Sequence, residues 1–238
     1  MRRIFNTPGF IIIILLFVSS ALSGRYASPI DWIMSMVMIL PGIIIGLSFH
    51  EFAHAYAAVR LGDNTPRFQG RVTINPKAHI DPIGFACLLL VGFGWGVPVQ
   101  IDPGNFKNRR RDELIVSVAG VAMNFVIAIV FAGIWRLLYL VAPQMMIMGT
   151  MGEILSEIIA GVISINLVLL VFNLIPIPPL DGFGIITEIF NLRNTNFYWT
   201  LYKNGFFILL IMILFGVTDK ILGPLHAMLF RFVTGIFF

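Results

Sequence analysis

Long apolar stretches restrict this chain to a small set of folds. Several of them reach about 20 residues, the length that an α-helix needs to cross the hydrocarbon core of a bilayer. Charged residues make up 12% of the sequence, whereas soluble domains typically carry about 25%. A lipid-exposed backbone must satisfy its own hydrogen bonds, which favours helices. The sequence therefore predicts an all-α, polytopic membrane protein with a single domain over residues 1–238.

Five to six segments are candidate transmembrane helices. They lie at residues 8–24, 30–61, 114–141, 154–175 and around 206–217, with a last apolar segment at 222–238. The first segment follows Arg2 and Arg3 and resembles a signal peptide in part, but we favour a retained helix. The last segment is marginal in length and either spans the membrane or lies at its interface. Residues 32–190 would form the core, with 8–24 and 202–238 as additional helices.

The segment between the second and third spans, residues 62–111, lacks the pattern of a plain helix. Residues 67–76 alternate in polarity and contain turn residues, which predicts a short β-hairpin. Residues 87–97 are apolar but too short to span a bilayer. We therefore expect a re-entrant or interfacial piece, whose backbone must be covered by protein or water.

The distribution of basic residues predicts the orientation. With the N-terminus in the cytoplasm, only Arg25, Arg136, Lys220 and Arg231 lie outside, and 12 of the 16 Lys and Arg residues are cytoplasmic. This orientation requires residues 62–111 to begin and end on the cytoplasmic side, as a re-entrant piece would. The basic run at 107–111 is explained by solvated charge at the interface, so no nucleic-acid partner is expected.

The second span carries the pattern H-E-x-x-H at residues 50–54. On a helix, His50 and His54 project from one face, so both imidazoles can reach one metal ion. Zinc in such a site lowers the pKa of a water molecule to about 7, and Glu51 can take the proton as general base. Packing or chance could also place these residues, but ionisable side chains inside a membrane are costly and mark functional sites. We predict a catalytic metal site on the cytoplasmic half of this helix.

A catalytic zinc site usually has a third protein ligand and one open position. The candidates are Asp181, His79, Glu153, Glu157, Glu188 and His226. The predicted topology puts Glu153, Glu157 and His226 on the outer side, away from the histidines. Asp181 lies on a proline-fixed turn at the cytoplasmic end of the fourth span, which favours it. A cap on a short helix at residues 183–190 is the alternative role.

Four short motifs follow one another in the central part of the chain. They are His50-Glu51-x-x-His54, then Arg71-x-Thr73-x-Asn75-Pro76-x-Ala78-His79-Ile80-Asp81-Pro82-x-Gly84, then Gly120-x-x-x-Asn124, and finally Asn173-x-x-Pro176-x-Pro178-Pro179-Leu180-Asp181-Gly182. Their combination and order resemble the site-2 protease family of intramembrane zinc metalloproteases, in particular its compact prokaryotic members. We expect neither the PDZ domain nor the cystathionine-synthase-like (CBS) domain that some members carry.

The resemblance implies a set of roles for these residues. One zinc ion per chain would be held by His50, His54 and Asp181, with Glu51 as the general base. The re-entrant piece between the second and third spans would contain a β-hairpin.

Two asparagines would lie near the zinc if the resemblance holds. The amides of Asn173 and Asn124 could orient the substrate or stabilise the oxyanion. An interhelical hydrogen bond is the alternative role for Asn173, and the same two roles are open for Asn124.

The expected activity is hydrolysis of peptide bonds within or near transmembrane segments of membrane-anchored proteins. The partners would be a single-span protein substrate, the lipid bilayer and a regulatory membrane protein. A membrane metal transporter and a proteolytically inactive membrane-binding protein are the alternatives. A transporter needs polar residues along its path, and the outer halves of these spans offer few. The sequence does not select a substrate.

Overall fold

The computed structural model describes residues 29–91 and 94–238. The predicted helix at 8–24 lies outside the described residues. The described ranges are helical, with short 3₁₀ turns at Pro76–Ala78, Pro103–Asn105 and Leu192–Asn194. The α-helices are α1 (Pro29–Arg60), α2 (Thr65–Phe68), α3 (Pro82–Val91), α4 (Arg109–Val141), α5 (Pro143–Met148), α6 (Thr150–Asn173), α7 (Asp181–Phe190), α8 (Asn196–Leu214) and α9 (Val217–Gly235).

Four of the described helices are long and apolar enough to cross a membrane. They are Ile33–Arg60 within α1, then α4, α6 and α8. These four match the predicted second, third, fourth and fifth spans, and the protein is a multi-pass membrane protein. Helix α9 is not among them, so the choice between a sixth span and an interfacial helix at 222–238 stays a prediction.

Side chains set the ends of these helices. Asn108 caps α4 by accepting a hydrogen bond from the N–H of Arg111 at 3.2 Å, and Thr195 caps α8 in the same way. Helix α6 ends at Asn173, three residues before Pro176, whose ring prevents a helix from continuing. Helix α7 ends at Phe190 and is followed by Asn191, which adopts the left-handed conformation common after helix C-termini. The predicted break after the fourth span is therefore confirmed.

Helices α1, α4 and α6 pack against one another and form the centre of the described structure. Gly42 on α1 allows a close approach to α6, because a Cβ there would lie 3.0 Å from the carbonyl oxygen of Gly161. Small residues permit such close packing between membrane helices, where dispersion contacts replace the hydrophobic effect. One apolar cluster joins α4, α6 and α9 through Ala128, Ala132, Ile159, Ile163, Leu167 and Val233.

The predicted β-hairpin at residues 67–76 is wrong. Residues 65–68 form the single turn α2, and residues 76–78 form a 3₁₀ turn. Asp63 accepts hydrogen bonds from the N–H and hydroxyl groups of Thr65, and Asn75 accepts one from the N–H of Lys77. These Asx-type contacts stabilise turns and compete with a strand ladder. In the described ranges the only β-bridge is an isolated antiparallel one between Ile80 and Gly96.

The apolar segment predicted at residues 87–97 begins within helix α3, which ends at Val91, and residues 94–97 lie outside any helix. Its first turn is capped by Asp81, whose Oδ1 accepts the N–H groups of Ile83 and Gly84. Ten residues are too few to cross a bilayer, as the sequence indicated. The re-entrant course of this segment stays a prediction, and residues 87–91 of it are helical.

Candidate functional site

The two histidines of the H-E-x-x-H motif lie on adjacent turns of α1 with their Nε2 atoms 3.0 Å apart. Both side chains are buried, with 5% of His50 and 8% of His54 exposed. The Nδ1 atom of His50 donates to Oδ1 of Asn124, and that of His54 donates to the carbonyl oxygen of Val116, each across 2.7 Å. Because these partners can only accept, each neutral ring carries its proton on Nδ1. The two Nε2 lone pairs therefore face each other and are free to bind a metal.

The carboxylate of Asp181 lies beside the Nε2 atoms of both histidines. Asp181 is the first residue of α7, and its Oδ2 lies 3.2 Å from Nε2 of His50 and 3.3 Å from Nε2 of His54. This oxygen is buried and accepts no hydrogen bond. The side chain makes no capping contact at the start of α7, so the alternative role as a helix cap is not observed.

The three atoms fit the donor set of a zinc ion. Ligands at 2.0–2.1 Å from a tetrahedral zinc lie about 3.3–3.4 Å from one another, and the observed separations are 3.0, 3.2 and 3.3 Å. Two imidazole lone pairs and an unpaired carboxylate oxygen this close repel one another unless a cation lies between them. In the described ranges, His50, His54 and Asp181 are the only group of this kind.

Gly120 on α4 gives this group its space. A Cβ at that position would overlap Nε2 of His54 and would lie 2.6 Å from Cε1 of His50. A larger residue would have to displace both imidazoles. The glycine of the G-x-x-x-N motif is therefore required by the close approach of α4 to the histidines.

Glu51 borders a cavity of about 220 Å³ that also contains the three candidate ligands. Its Oε2 accepts a hydrogen bond of 2.9 Å from the backbone N–H of Val99. The rest of the lining consists of Pro98, Val99, Ile101, Val116, Ser117, Asn173 and Pro179. A general base, a metal-binding group and space for a reacting bond thus share one cavity.

Comparisons with known proteins agree with this geometry. The chain is 40% identical over 147 residues to "Putative zinc metalloprotease YwhC" of Bacillus subtilis, a match that covers 62% of the chain and 66% of the relative. It is 28% identical over 192 residues to "Putative zinc metalloprotease Rip2" of Mycolicibacterium smegmatis, covering 78% of the chain and 70% of the relative. The protein of the same name in Mycobacterium tuberculosis is 30% identical over 169 residues, covering 68% and 61%.

The chain belongs to the site-2 protease family. It spans about two thirds of the length of these curated relatives. No family model and no solved structure matches it.

The two asparagines that the site-2 protease motifs singled out occupy different positions. Asn173 lines the cavity, and its Nδ2 donates to the carbonyl oxygen of Leu169 on its own helix. Asn124 is fully buried behind the histidines, where it contacts His50 and does not line the cavity. This placement favours a positioning role for Asn124 and leaves Asn173 as the amide available to a substrate.

One wall of the cavity comes from residues 96–105, here called the strap, which is non-helical up to Asp102 and ends in the 3₁₀ turn at Pro103–Asn105. Its residue Val99 contacts Glu51. The N–H of Val97 donates to the carbonyl oxygen of His79 at 2.7 Å, which holds one end. Asp63 holds the other end by accepting the N–H of Asp102 and the side-chain amide of Asn105. Burial raises the pKa of Asp63, but the hydrogen bonds from Thr65, Asp102 and Asn105 outweigh it and hold this pKa below its usual value.

Asp63 was missed by the sequence reasoning. It is fully buried, and it joins the strap to the end of α1 through its hydrogen bonds with Asp102 and Asn105. Its partners at 102 and 105 are about forty residues away in sequence. A local signal was present, since Asp63-Asn64-Thr65-Pro66 directly after a helix is typical of a capped turn.

The other candidate ligands lie elsewhere. Glu188 is buried and pairs with Arg193 at 2.7 Å, and burial raises its pKa although Arg109 and Arg110 oppose the rise. His226 contacts the hydroxyl of Ser164 on α6. His79 is fully buried, and its Nε2 donates to the carbonyl oxygen of Thr73. None of these joins the His-His-Asp group.

Proposed function

We propose that the protein is a zinc endopeptidase that hydrolyses peptide bonds within or beside the transmembrane segments of membrane-anchored proteins. The observation that carries the proposal is the convergence of His50, His54, Asp181 and Glu51 on one cavity beside a membrane-spanning helix. Membership of a zinc metalloprotease family supports the same chemistry. One zinc ion per chain would be held by the two Nε2 atoms and Oδ2 of Asp181.

The three proposed protein ligands would leave one coordination position of the zinc open. Three protein ligands with an open fourth position are typical of catalytic zinc sites, whereas structural sites use four. The chemistry that zinc supplies in such a site is a lowered pKa for a water molecule and polarisation of the scissile carbonyl. The cavity next to the three ligands gives access for both the water and the peptide.

Glu51 would act as the general base. Its carboxylate takes a proton from the attacking water as the oxygen of that water bonds to the carbonyl carbon. When the carbon–nitrogen bond breaks, the same carboxyl returns the proton to the leaving nitrogen, so the enzyme ends unchanged. The N–H of Val99 holds Oε2 of Glu51, which orients the other oxygen for this transfer.

The cavity lining suggests how a substrate would be handled. A helical substrate keeps its carbonyl groups hydrogen-bonded to its own backbone, so it must unwind locally before water can attack. Asn173 lies in the lining with its side-chain oxygen unbonded to the described residues, which suits contact with an unwound backbone. Beside the polar groups, the lining contains Pro98, Val99, Ile101, Val116 and Pro179, which would offer apolar contacts to a substrate taken from a membrane.

The site would face the cytoplasmic half of the membrane. His54 lies six residues before the end of α1 at Arg60, a distance of about 9 Å at 1.5 Å per residue. The bias of Lys and Arg residues supports a cytoplasmic location for that end, together with the N-terminus. Water would therefore reach Glu51 from the cytoplasmic side.

Cleavage assays on the purified protein test this proposal. Wild type and Glu51→Gln should be incubated with a panel of single-span membrane proteins, and the zinc in each preparation should be quantified. We expect about one zinc in both proteins and cleavage by the wild type alone, because the amide cannot accept the proton of the water. Cleavage by the Gln variant would contradict the role of Glu51, and a wild type without zinc would contradict the proposed function.

A further inference from the structure

A buried polar side chain lies behind the histidines, outside the cavity. Asn166 on α6 is fully buried, within a stretch at residues 158–172 whose one other polar side chain is Ser164. Its Oδ1 accepts a hydrogen bond of 3.0 Å from Nδ2 of Asn124 on α4. Asn124 in turn accepts from Nδ1 of His50 on α1. One continuous set of hydrogen bonds thus connects α6 through α4 to a candidate metal ligand.

Backbone carbonyl groups determine the direction of every bond in this set. The Nδ2 group of Asn166 donates to the carbonyl oxygen of Val162 at 2.8 Å, and a carbonyl can only accept. The oxygen of Asn166 must therefore face Asn124, and it can only accept from the Nδ2 group there. A second carbonyl, that of Gly46, accepts from the same Nδ2 group at 3.2 Å.

These hydrogen bonds determine which ring nitrogen of His50 is available to bind metal. With both amide hydrogens of Asn124 committed, its Oδ1 faces His50 and requires a proton on Nδ1 of that ring. The proton on Nδ1 leaves Nε2 as a lone pair that points towards His54 and Asp181. The ring tautomer that binds metal is thus set by groups on two other helices.

The glycine at position 46 leaves space for this set of hydrogen bonds. Gly46 on α1 lies so close to α6 that a Cβ there would be 3.3 Å from Oδ1 of Asn166 and 2.7 Å from a methyl group of Leu169. The absent side chain allows the carbonyl of Gly46 and the amide of Asn166 to meet the same amide group of Asn124. Three helices therefore converge on one buried polar network in which each side-chain nitrogen and oxygen atom of Asn124 and Asn166 has a hydrogen-bond partner.

We propose that Asn166 is a positioning residue for the zinc site, acting through Asn124 to hold His50 in the tautomer and orientation that bind the metal. The inference rests on the proposed zinc-binding function. Asn166 itself touches neither the three ligands nor the cavity. Asn166 raises the affinity for zinc, because it holds the ring of His50 in the metal-binding orientation before zinc binds.

The test is a measurement of zinc affinity by chelator competition on the full chain in detergent micelles. Replacing the partner of a metal-bound histidine typically lowers metal affinity by about 10- to 100-fold. We expect Asn124→Leu to lose affinity in that range and Asn166→Leu to lose about tenfold, because one anchor of Asn124 remains at Gly46. The double variant should bind no more weakly than Asn124→Leu alone, because Asn166 acts only through Asn124.

Two further variants separate positioning from folding. Asn166→Ser retains a hydroxyl that can bond to its own helix but is too short to reach Asn124, so it should lose zinc affinity like the Leu variant while being easier to fold. The matched control is Leu167→Ala, at the next position of α6, which is fully buried in the apolar cluster with Ala128. This control should unfold at a lower temperature yet keep the wild-type zinc affinity.

Nitrogen-15 NMR of the zinc-free wild type provides a readout that does not depend on a variant. We expect His50 to carry its proton on Nδ1, and a proton on Nε2 would overturn the proposal. Unchanged zinc affinity in both Asn166 variants, or independent losses in the double variant, would also overturn it. Failure of the wild type to bind zinc would instead contradict the proposed function, so the two failures are distinguishable.

Discussion

The backbone N–H of Val99 donates a hydrogen bond of 2.9 Å to Oε2 of Glu51, across 48 residues of sequence. The contact joins the strap at 96–105 to the H-E-x-x-H motif on α1. One carboxylate oxygen is thereby held, while the side chain of Glu51 lines the cavity. The position of the proposed general base thus depends on a backbone group that no side-chain motif reveals.

Val99→Pro tests this contact. Proline lacks the N–H, so Glu51 loses its fixed partner while keeping its charge and its place on α1. We expect kcat to fall by about tenfold or more with zinc still bound, since misplacing a catalytic group slightly is costly. The control is Val99→Ala, which retains the N–H and should retain most of the activity. Equal activity in the Pro and Ala variants would mean that the hydrogen bond does not position the base.

Gly120→Ala should remove zinc binding. The added methyl group overlaps Nε2 of His54 and crowds His50, so the two lone pairs can no longer converge with Asp181. We expect no bound zinc and no proteolysis, measured by metal analysis and cleavage on the same preparation. Gly223→Ala on α9 is the control, because a Cβ there meets nothing within 4 Å. Alanine is the better helix former by about 1 kcal/mol, so that variant should be at least as stable as wild type. Zinc retained by Gly120→Ala would contradict the geometry described above.

Asp63→Asn should destabilise the protein by about 2 kcal/mol at neutral pH, since hydrogen bonds to a charged group contribute about 1.5–3 kcal/mol. The folded protein holds the pKa of Asp63 below its usual value. Its contribution to stability is therefore complete above the unfolded pKa, about 3.9, and is lost as the pH falls through the folded pKa. Denaturant unfolding in micelles should show a wild-type advantage over Asp63→Asn that is constant from pH 5 to 7 and narrows below about pH 4. An advantage independent of pH in that lower range would contradict the assignment.

Removing zinc should lower the melting temperature of the wild type. A ligand that binds only the folded state stabilises it by about 4 kcal/mol when its concentration is a thousandfold above the Kd. Here zinc would join α1 to the start of α7 through Asp181. Chelation should therefore shift the wild-type transition, and added zinc should reverse the shift. Asp181→Ala should melt at a temperature that neither chelator nor zinc changes. A zinc-dependent shift of the same size in that variant would exclude Asp181 as a ligand.

Much of this architecture could be predicted from sequence because its signals are local. The four described spans follow from apolar length, and the H-E-x-x-H spacing places His50 and His54 on one helical face. The three prolines at 176–179 predicted the break that presents Asp181. These features depend on neighbouring residues and on chain stiffness, so no tertiary information is needed.

The features that sequence reasoning missed depend on contacts between distant residues. The alternation at 67–76 indicated a hairpin, but Asp63 and Asn75 cap turns there. The strap at 96–105 is held by His79 and Asp63. In the sequence, Asn166 is a polar residue in a mostly apolar span. Only the packing of α4 against α6 shows that it forms a hydrogen bond with Asn124. Such pairings have no period along the chain, so only the packed structure reveals them.

The most direct test of the account is the position of the cut. A purified single-span substrate should be incubated with wild type and with Glu51→Gln, and the products should be identified by mass spectrometry. The account predicts one cleavage site within or immediately beside the apolar span in the wild-type reaction, and intact substrate in the reaction with the variant. Cleavage confined to soluble regions far from the span, or the same products from both proteins, would contradict it.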